Sequence, residues 1–294
     1  MKWMIYALLL LGLGVQTADA QRLRSYRPSL FGVRNQFNWS VSFAQSAVSD
    51  YRSGEKQNLE ITTSFDFTQS VNLSLIDLVF KGRSSLGISQ ETTEETEWVL
   101  PTDNDLFLEN IIVLPFGWKA DPYFAASLQS AITESFRVRR SFISGDYLER
   151  TANLWDPVTT RQGLGFWFRD RGDYGTFGTR IGVSLSQVRS NVHTRSTDDF
   201  KTRDVVEAYK AETGIEFINE ADINLEKDIN YRATFSLYST FDEFEVWEMD
   251  WSNQFRAQIW RFIGVTFNLD FTYNDRSADL QFRQSLTLGV VQQL

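Results

Sequence analysis

The stretch FEVWEMDWSNQFRAQIWRFIGVTFNLDFTY, residues 244–273, decides how the chain is read. From Trp247 every second residue is apolar: Met249, Trp251, then Phe255, Ala257 and Ile259 after Asn253, with Glu248, Asp250, Ser252, Gln254, Arg256 and Gln258 between them. After Trp260 and Arg261 the alternation restarts as Ile263, Val265, Phe267, Leu269, Phe271 and Tyr273, against Gly264, Thr266, Asn268, Asp270 and Thr272. Period two means a strand with one apolar and one polar face, and the short interruption means a hairpin. Each strand is about ten residues long or more, against about five to six in soluble proteins. A strand tilted across a bilayer needs roughly 9–11 residues.

The same pattern recurs along the chain. One expected strand puts Phe37, Trp39, Val41 and Phe43 on one face, and a second puts Leu59, Ile61, Thr63, Phe65 and Phe67 together. A third runs from Asp77 to Ser89, with Gly82 and Gly87 as bends. Gln90–Asp105 reads as a polar, acidic loop. A fourth strand, Leu106–Leu114, is apolar almost throughout, so its faces are not assigned. A fifth covers Tyr123–Glu134, and the longest irregular stretch follows, Ser135–Gln162. Strands six and seven fall near Gly163–Phe168 and Phe177–Val188. Strand eight, Glu207–Ile218, turns at Asn219–Asp222 into strand nine, which carries Tyr231, Ala233, Phe235 and Leu237 on one face. The hairpin quoted above supplies strands ten and eleven, and Leu280–Leu294 is the twelfth. Loops near Ser53, Thr96, Ser144 and Asp198 read as long, and those near Asn72, Gly117, Gly172, Glu220 and Trp260 as short, alternating from one side of the wall to the other.

The expected fold is therefore all-β: a closed antiparallel transmembrane β-barrel of about 12 strands, range 10–14. Lipid leaves no water for unpaired backbone groups, so a strand structure crosses it only as a closed barrel. The alternation alone also fits a soluble barrel or sandwich with its apolar face inward. A twelve-stranded barrel is wider than its side chains fill, because about eight strands already do so. Facing the apolar side to lipid and the polar side to an aqueous interior resolves this. Trp39, Trp118, Trp167, Trp247, Trp251 and Trp260 lie at or near strand ends, as an interfacial aromatic girdle would place them.

Of 294 residues none is Cys, 15% are aromatic and the net charge is -9. The start, Met1-Lys2-Trp3 followed by an apolar run to Val15 and Ala18-Asp19-Ala20, has the form of a secretory signal peptide, residues 1–20. Residues 21–36, with Arg22, Arg24, Arg27 and Arg34, read as a periplasmic leader, and 37–294 as the outer-membrane barrel. The acidic balance, without a long basic stripe, argues against nucleic acid as a partner. No cofactor is expected.

The polar faces carry Glu60, Asp66, Arg180, Glu212, Glu216, Arg232, Glu248, Asp250, Arg256, Asp270 and Arg283 as candidates to line the lumen. Mixed charges there either pair and stiffen the wall or line a narrow path that favours cations, since acids outnumber bases. Arg137, Arg139 and Arg140, in the longest loop, suit the anionic head groups of lipopolysaccharide or the protein's own acids. His193 is the chain's one histidine. It sits in a polar loop without a nucleophile motif, and a hydrolase using it is the enzymatic alternative; a soluble lipid carrier is another. Glu91, Glu94, Glu95, Glu97, Asp103 and Asp105 lack the spacing of a calcium loop and read as a solvated surface.

Two segments carry a resemblance to a known family. Phe43-Ala44-Gln45-Ser46-Ala47-Val48-Ser49-Asp50-Tyr51 is similar to a glutamine-containing strand end that leads into an aromatic, and Leu280-Gln281 through Leu294 to a closing strand. The chain in this way resembles an uncharacterised outer-membrane barrel family catalogued as domain of unknown function 3078. That resemblance implies outer-membrane lipid as its surroundings and no particular chemistry. The expected role is a structural barrel or a passive or selective channel with a polar, charge-paired lumen.

Overall fold

The structure is a computed structural model; it describes residues 32–50, 54–73, 75–92, 97–141, 145–172, 174–191, 197, 207–260, 263–274 and 279–293. Its strands are β1 (Gly32–Asp50), β2 (Gly54–Asn72), β3 (Asp77–Thr92), β4 (Glu97–Val113), β5 (Asp121–Ser130), β6 (Ser135–Ser141), β7 (Gly145–Ala152), β8 (Val158–Gly172), β9 (Gly175–Arg189), β10 (Tyr209–Glu226), β11 (Ile229–Thr240), β12 (Glu248–Trp260), β13 (Ile263–Asn274) and β14 (Asp279–Gln293). Twelve of them form a closed antiparallel barrel in which each strand pairs with its neighbour in sequence, except that β5 pairs directly with β8; β6 and β7 form a separate hairpin in that connection. The ring closes between β1 and β14, from Asn38 opposite Gln293 to Ala47 opposite Gln284.

Register fixes which residues share a face. Phe235, Trp251, Phe271 and Phe282 lie side by side across β11 to β14, and so do Ile112 with Phe124 and Phe166 with Ile181. These apolar residues are open to the surroundings: Leu164 is 58% exposed and Leu286 59%, whereas Arg180 and Glu216, on the opposite face, are each 3% exposed. A water-soluble protein has the reverse arrangement. Side chains on the polar face also touch across the ring between strands that are not neighbours, which only an inward direction allows. The apolar belt therefore faces lipid and the polar face lines the lumen. Aromatic neighbours brace the outer face: Trp251 stacks on Phe271 at 5.4 Å, Phe271 meets Phe282 at 5.0 Å and Tyr231 meets Phe255 at 4.6 Å between ring centroids.

Several sequence expectations need correction. The acidic loop of residues 90–105 is mostly strand, since β3 runs to Thr92 and β4 starts at Glu97. Its polar composition reflects a wall that continues past the apolar belt: β1, of 19 residues, is longer than the roughly 9–11 a bilayer needs. For the same reason the strands flanking Ser53 and Thr96 stay paired as far as Asp50 opposite Gly54 and Thr92 opposite Glu97, and Gly32–Gln36, expected in the leader, belongs to β1. The irregular stretch of residues 135–162 contains β6, β7 and the start of β8. No turn occurs at Asn219–Asp222, which lies inside β10; the chain reverses at Lys227 and Asp228. There Glu220 and Asp222 point inward with one residue between them, so polarity that looked like a turn is a lumen face. Trp167 is not a girdle residue but is buried on the inner face, opposite Asp121 and Arg180. Trp118 and Trp260, 62% and 70% exposed, do lie at the short-turn end, with Phe116 5.2 Å from Trp118.

Replacing outward Phe267 by Arg is expected to cost about 2–4 kcal/mol of folding free energy in lipid vesicles. The inward change Ser252→Lys should alter it by less than about 1 kcal/mol, because that position meets water. Urea unfolding of the two variants checks the pair.

Candidate functional site in the lumen

On the side of the barrel formed by β3, β4, β5, β8, β9 and β10, the inner face is filled. Glu109 is the lone charge in the apolar run of β4, and a carboxylate buried there needs a partner. It receives Arg180 from β9, Nη1 to Oε1 at 2.7 Å, and Lys81 from β3 at 3.4 Å. Lys81 Nζ also reaches Glu220 on β10 at 2.7 Å, although β4, β5, β8 and β9 separate β3 from β10 in the wall. Arg180 Nη2 stands 3.4 Å from the same Glu220 oxygen. Two cations and two carboxylates thus form a bridge across part of the lumen.

Aromatic side chains fill the space against this bridge. Tyr123 on β5 donates its hydroxyl to Glu216 on β10 at 3.1 Å, and the Arg180 guanidinium lies 5.9 Å from the Tyr123 ring and 5.6 Å from that of Trp167. Ile111, Val113, Tyr123, Ala125 and Trp167 make one buried cluster, with Val79 against it. Nearer the short turns, Arg169 bonds Asp77 at 3.1 Å and Asp121 at 3.0 Å. Above, Arg161 stacks over Tyr238 at 4.7 Å.

Inward glycines on β8, β9 and β10 make this filling possible. A Cβ at Gly163 would stand 2.5 Å from Glu216 Oε1, and one at Gly178 2.8 Å from Trp167 Nε1. At Gly165, Gly182 and Gly214 it would run into the backbone carbonyl of the neighbouring strand. The side chains of Glu216, Trp167 and Tyr123 reach over Gly163, Gly178 and Gly182 and take the space a Cβ would fill.

The other side differs. On β11, β12 and β13 the inward residues Thr234, Asp250, Ser252 and Thr272 are exposed although they face into the ring. Small hydrogen-bonded pairs cover this face: Ser252 donates to Asp270 at 2.6 Å, Thr272 to Asp250 at 3.0 Å, Gln254 to Asn268 at 3.1 Å, and Ser40 lies 2.6 Å from Ser64. One half of the lumen is filled; the other is lined mainly by short polar side chains, several of them open to solvent, with Arg232, Glu248 and Arg256 among them.

Register places nine of the eleven expected lumen residues on the inner face: Asp66, Arg180, Glu212, Glu216, Arg232, Glu248, Asp250, Arg256 and Asp270. Arg180 and Glu216 belong to the filled half. Arg232 pairs with Asp222 at 2.9 Å and Glu212 with Lys210 at 2.9 Å. Glu248, Asp250 and Asp270 stand on the open half towards the long loops. The side chains of Glu60 and Arg283 lie outside the described ones, as do those of Arg137, Arg139 and Arg140, whose backbone forms β6. His193 also lies outside the described residues. Of the acidic-loop residues, Asp105 accepts from Arg83 at 3.1 Å and from Gln129 at 2.9 Å. The lumen also holds Lys81, Glu109, Tyr123, Trp167 and Glu220, none of them among the expected lining residues. Glu109 had a sequence signal, a single acid among apolar neighbours; Glu220 was hidden by its assignment to a turn.

No family model and no curated protein matches the chain. Among solved structures it is similar to the translocator domain of the autotransporter NalP from Neisseria meningitidis, with 8% identity, 99% of this chain and 97% of that one covered, and a TM-score of 0.41. An outer-membrane channel from Pseudomonas putida F1 gives 8% identity, 91% and 97% coverage and 0.41; an anion-selective porin from Comamonas acidovorans gives 8%, 90% and 100%, and 0.37. Such scores transfer no function to this chain.

Arg180→Ala leaves Glu109 buried without its closest cation and is expected to destabilise the barrel by about 3–5 kcal/mol. Gly165→Ala should also destabilise it, because the new methyl meets the Ile181 carbonyl, whereas Gly172→Ala, with nothing within 4 Å, should be neutral. Thermal unfolding in detergent compares the three.

Proposed function

We propose that the protein is an outer-membrane channel whose passage runs along the inner faces of β11, β12 and β13. The observation that carries this reading is the solvent exposure of inward Thr234, Asp250, Ser252 and Thr272, opposite a half-lumen filled by the Arg180 bridge. A barrel that served only as a wall would have no use for leaving one side unfilled. Glu248, Asp250 and Asp270 put three carboxylates on the open face towards the long loops, which favours cations at that mouth. An amino-terminal segment of signal-peptide form supports delivery to the outer membrane.

Planar-bilayer recording tests this. The wild-type chain should give a small, steady current. The double variant Lys81→Ala/Glu220→Ala, which removes the span across the ring, should roughly double it, since conductance follows the free cross-section of the pore. Silence from both proteins would leave a closed structural barrel instead.

A further inference from the structure

Resting on the channel reading above, we propose that Arg256 and Asp66 face each other across the open passage and form a recognition site for small zwitterionic solutes, amino acids or short peptides. Both side chains point inward near the short-turn end. Arg256 is four residues from the end of β12 and Asp66 six from the end of β2, with β13, β14 and β1 forming the wall between them. The Arg256 guanidinium makes no ion pair among the described residues, and its Nε is buried without a hydrogen-bond partner. Among the described residues its charged neighbours are Asp66, Asp222 and Arg232. Asp222 is already engaged by Arg232 at 2.9 Å and by Asn230 at 2.7 Å. Asp66 makes no ion pair or side-chain hydrogen bond among the described residues; Arg83, opposite it in register, is turned to Asp105 at 3.1 Å.

Elsewhere in this lumen opposite charges close on one another, as Lys81 and Glu220 do at 2.7 Å. Arg256 and Asp66 are within electrostatic reach but not bonded. A guanidinium offers a planar fork to a carboxylate, and the carboxylate opposite it accepts from an ammonium. A solute with both groups satisfies both walls at once, while a lone cation or anion meets attraction on one side and repulsion on the other. The acidic mouth above, Glu248, Asp250 and Asp270, would present the ammonium end first.

The test adds millimolar glycylglycine to the full chain, in a planar bilayer with potassium chloride and, separately, in detergent. The expected results are concentration-dependent current interruptions and a raised unfolding temperature, both lost in Arg256→Gln and in Asp66→Asn. The exchanged pair Arg256→Asp/Asp66→Arg should recover them, which a merely structural role would not. A glycylglycine effect equal in wild type and both single variants, or absent from all in both assays, overturns the proposal. Stabilisation in detergent without any current upholds the site and removes the channel reading alone.

Discussion

Every backbone N–H and C=O that enters hydrocarbon must find a partner within the protein, because an unsatisfied one costs several kcal/mol there. The pairing of β1 with β14 meets this condition by joining the first and last strands and leaving no edge in the ring. Strand alternation follows from it, as each residue must face either lipid or lumen. So does the interior problem: a ring of twelve strands is too wide for one layer of side chains to close.

The chain solves that problem unevenly. Over six consecutive strands of the wall it removes side chains at Gly163, Gly165, Gly178, Gly182 and Gly214 and sends Tyr123, Trp167, Lys81, Glu109, Arg180, Glu216 and Glu220 into the vacated space. Arg180 is worth burying only because two carboxylates and two aromatic faces surround it. Over the other strands, Arg232, Glu248 and Arg256 apart, it relies mainly on Ser, Thr, Asn, Gln and Asp, short enough to pair with their neighbours and leave room for water. Rigidity and passage are thereby assigned to different halves of one ring.

Physical reasons separate what the sequence made legible from what it hid. Residues 244–273 announced their hairpin because the lipid face there is almost unbroken and the lumen face is polar. Leu106–Leu114 could not be assigned to faces, and the structure explains why: Ile112 meets lipid while Ile111 and Val113 pack inside the filled half, so both faces are apolar. Strand ends beyond the belt lose the lipid signal and read as loops, as at residues 97–105. Asn104 shows what that segment does: its amide accepts from Ile132 N and Thr133 N, both at 2.9 Å, and so anchors the start of the β5–β8 connection. Contacts across the ring, such as Lys81 with Glu220, join residues 139 positions apart and leave no local pattern.

Because the chain has no cysteine, single introduced cysteines report whether the barrel turns its apolar face to lipid and keeps water on only one side of its interior. Single cysteines are placed at Ser252, at Ser184 and at Trp251 in the folded barrel in vesicles, and their reaction with a charged, membrane-impermeant thiol reagent is followed. Ser252→Cys should label fast, Ser184→Cys should be strongly protected within the filled half, and Trp251→Cys should label only with a lipid-soluble reagent. Equal labelling of Ser252→Cys and Ser184→Cys, or fast labelling of Trp251→Cys by the charged reagent, would contradict this arrangement.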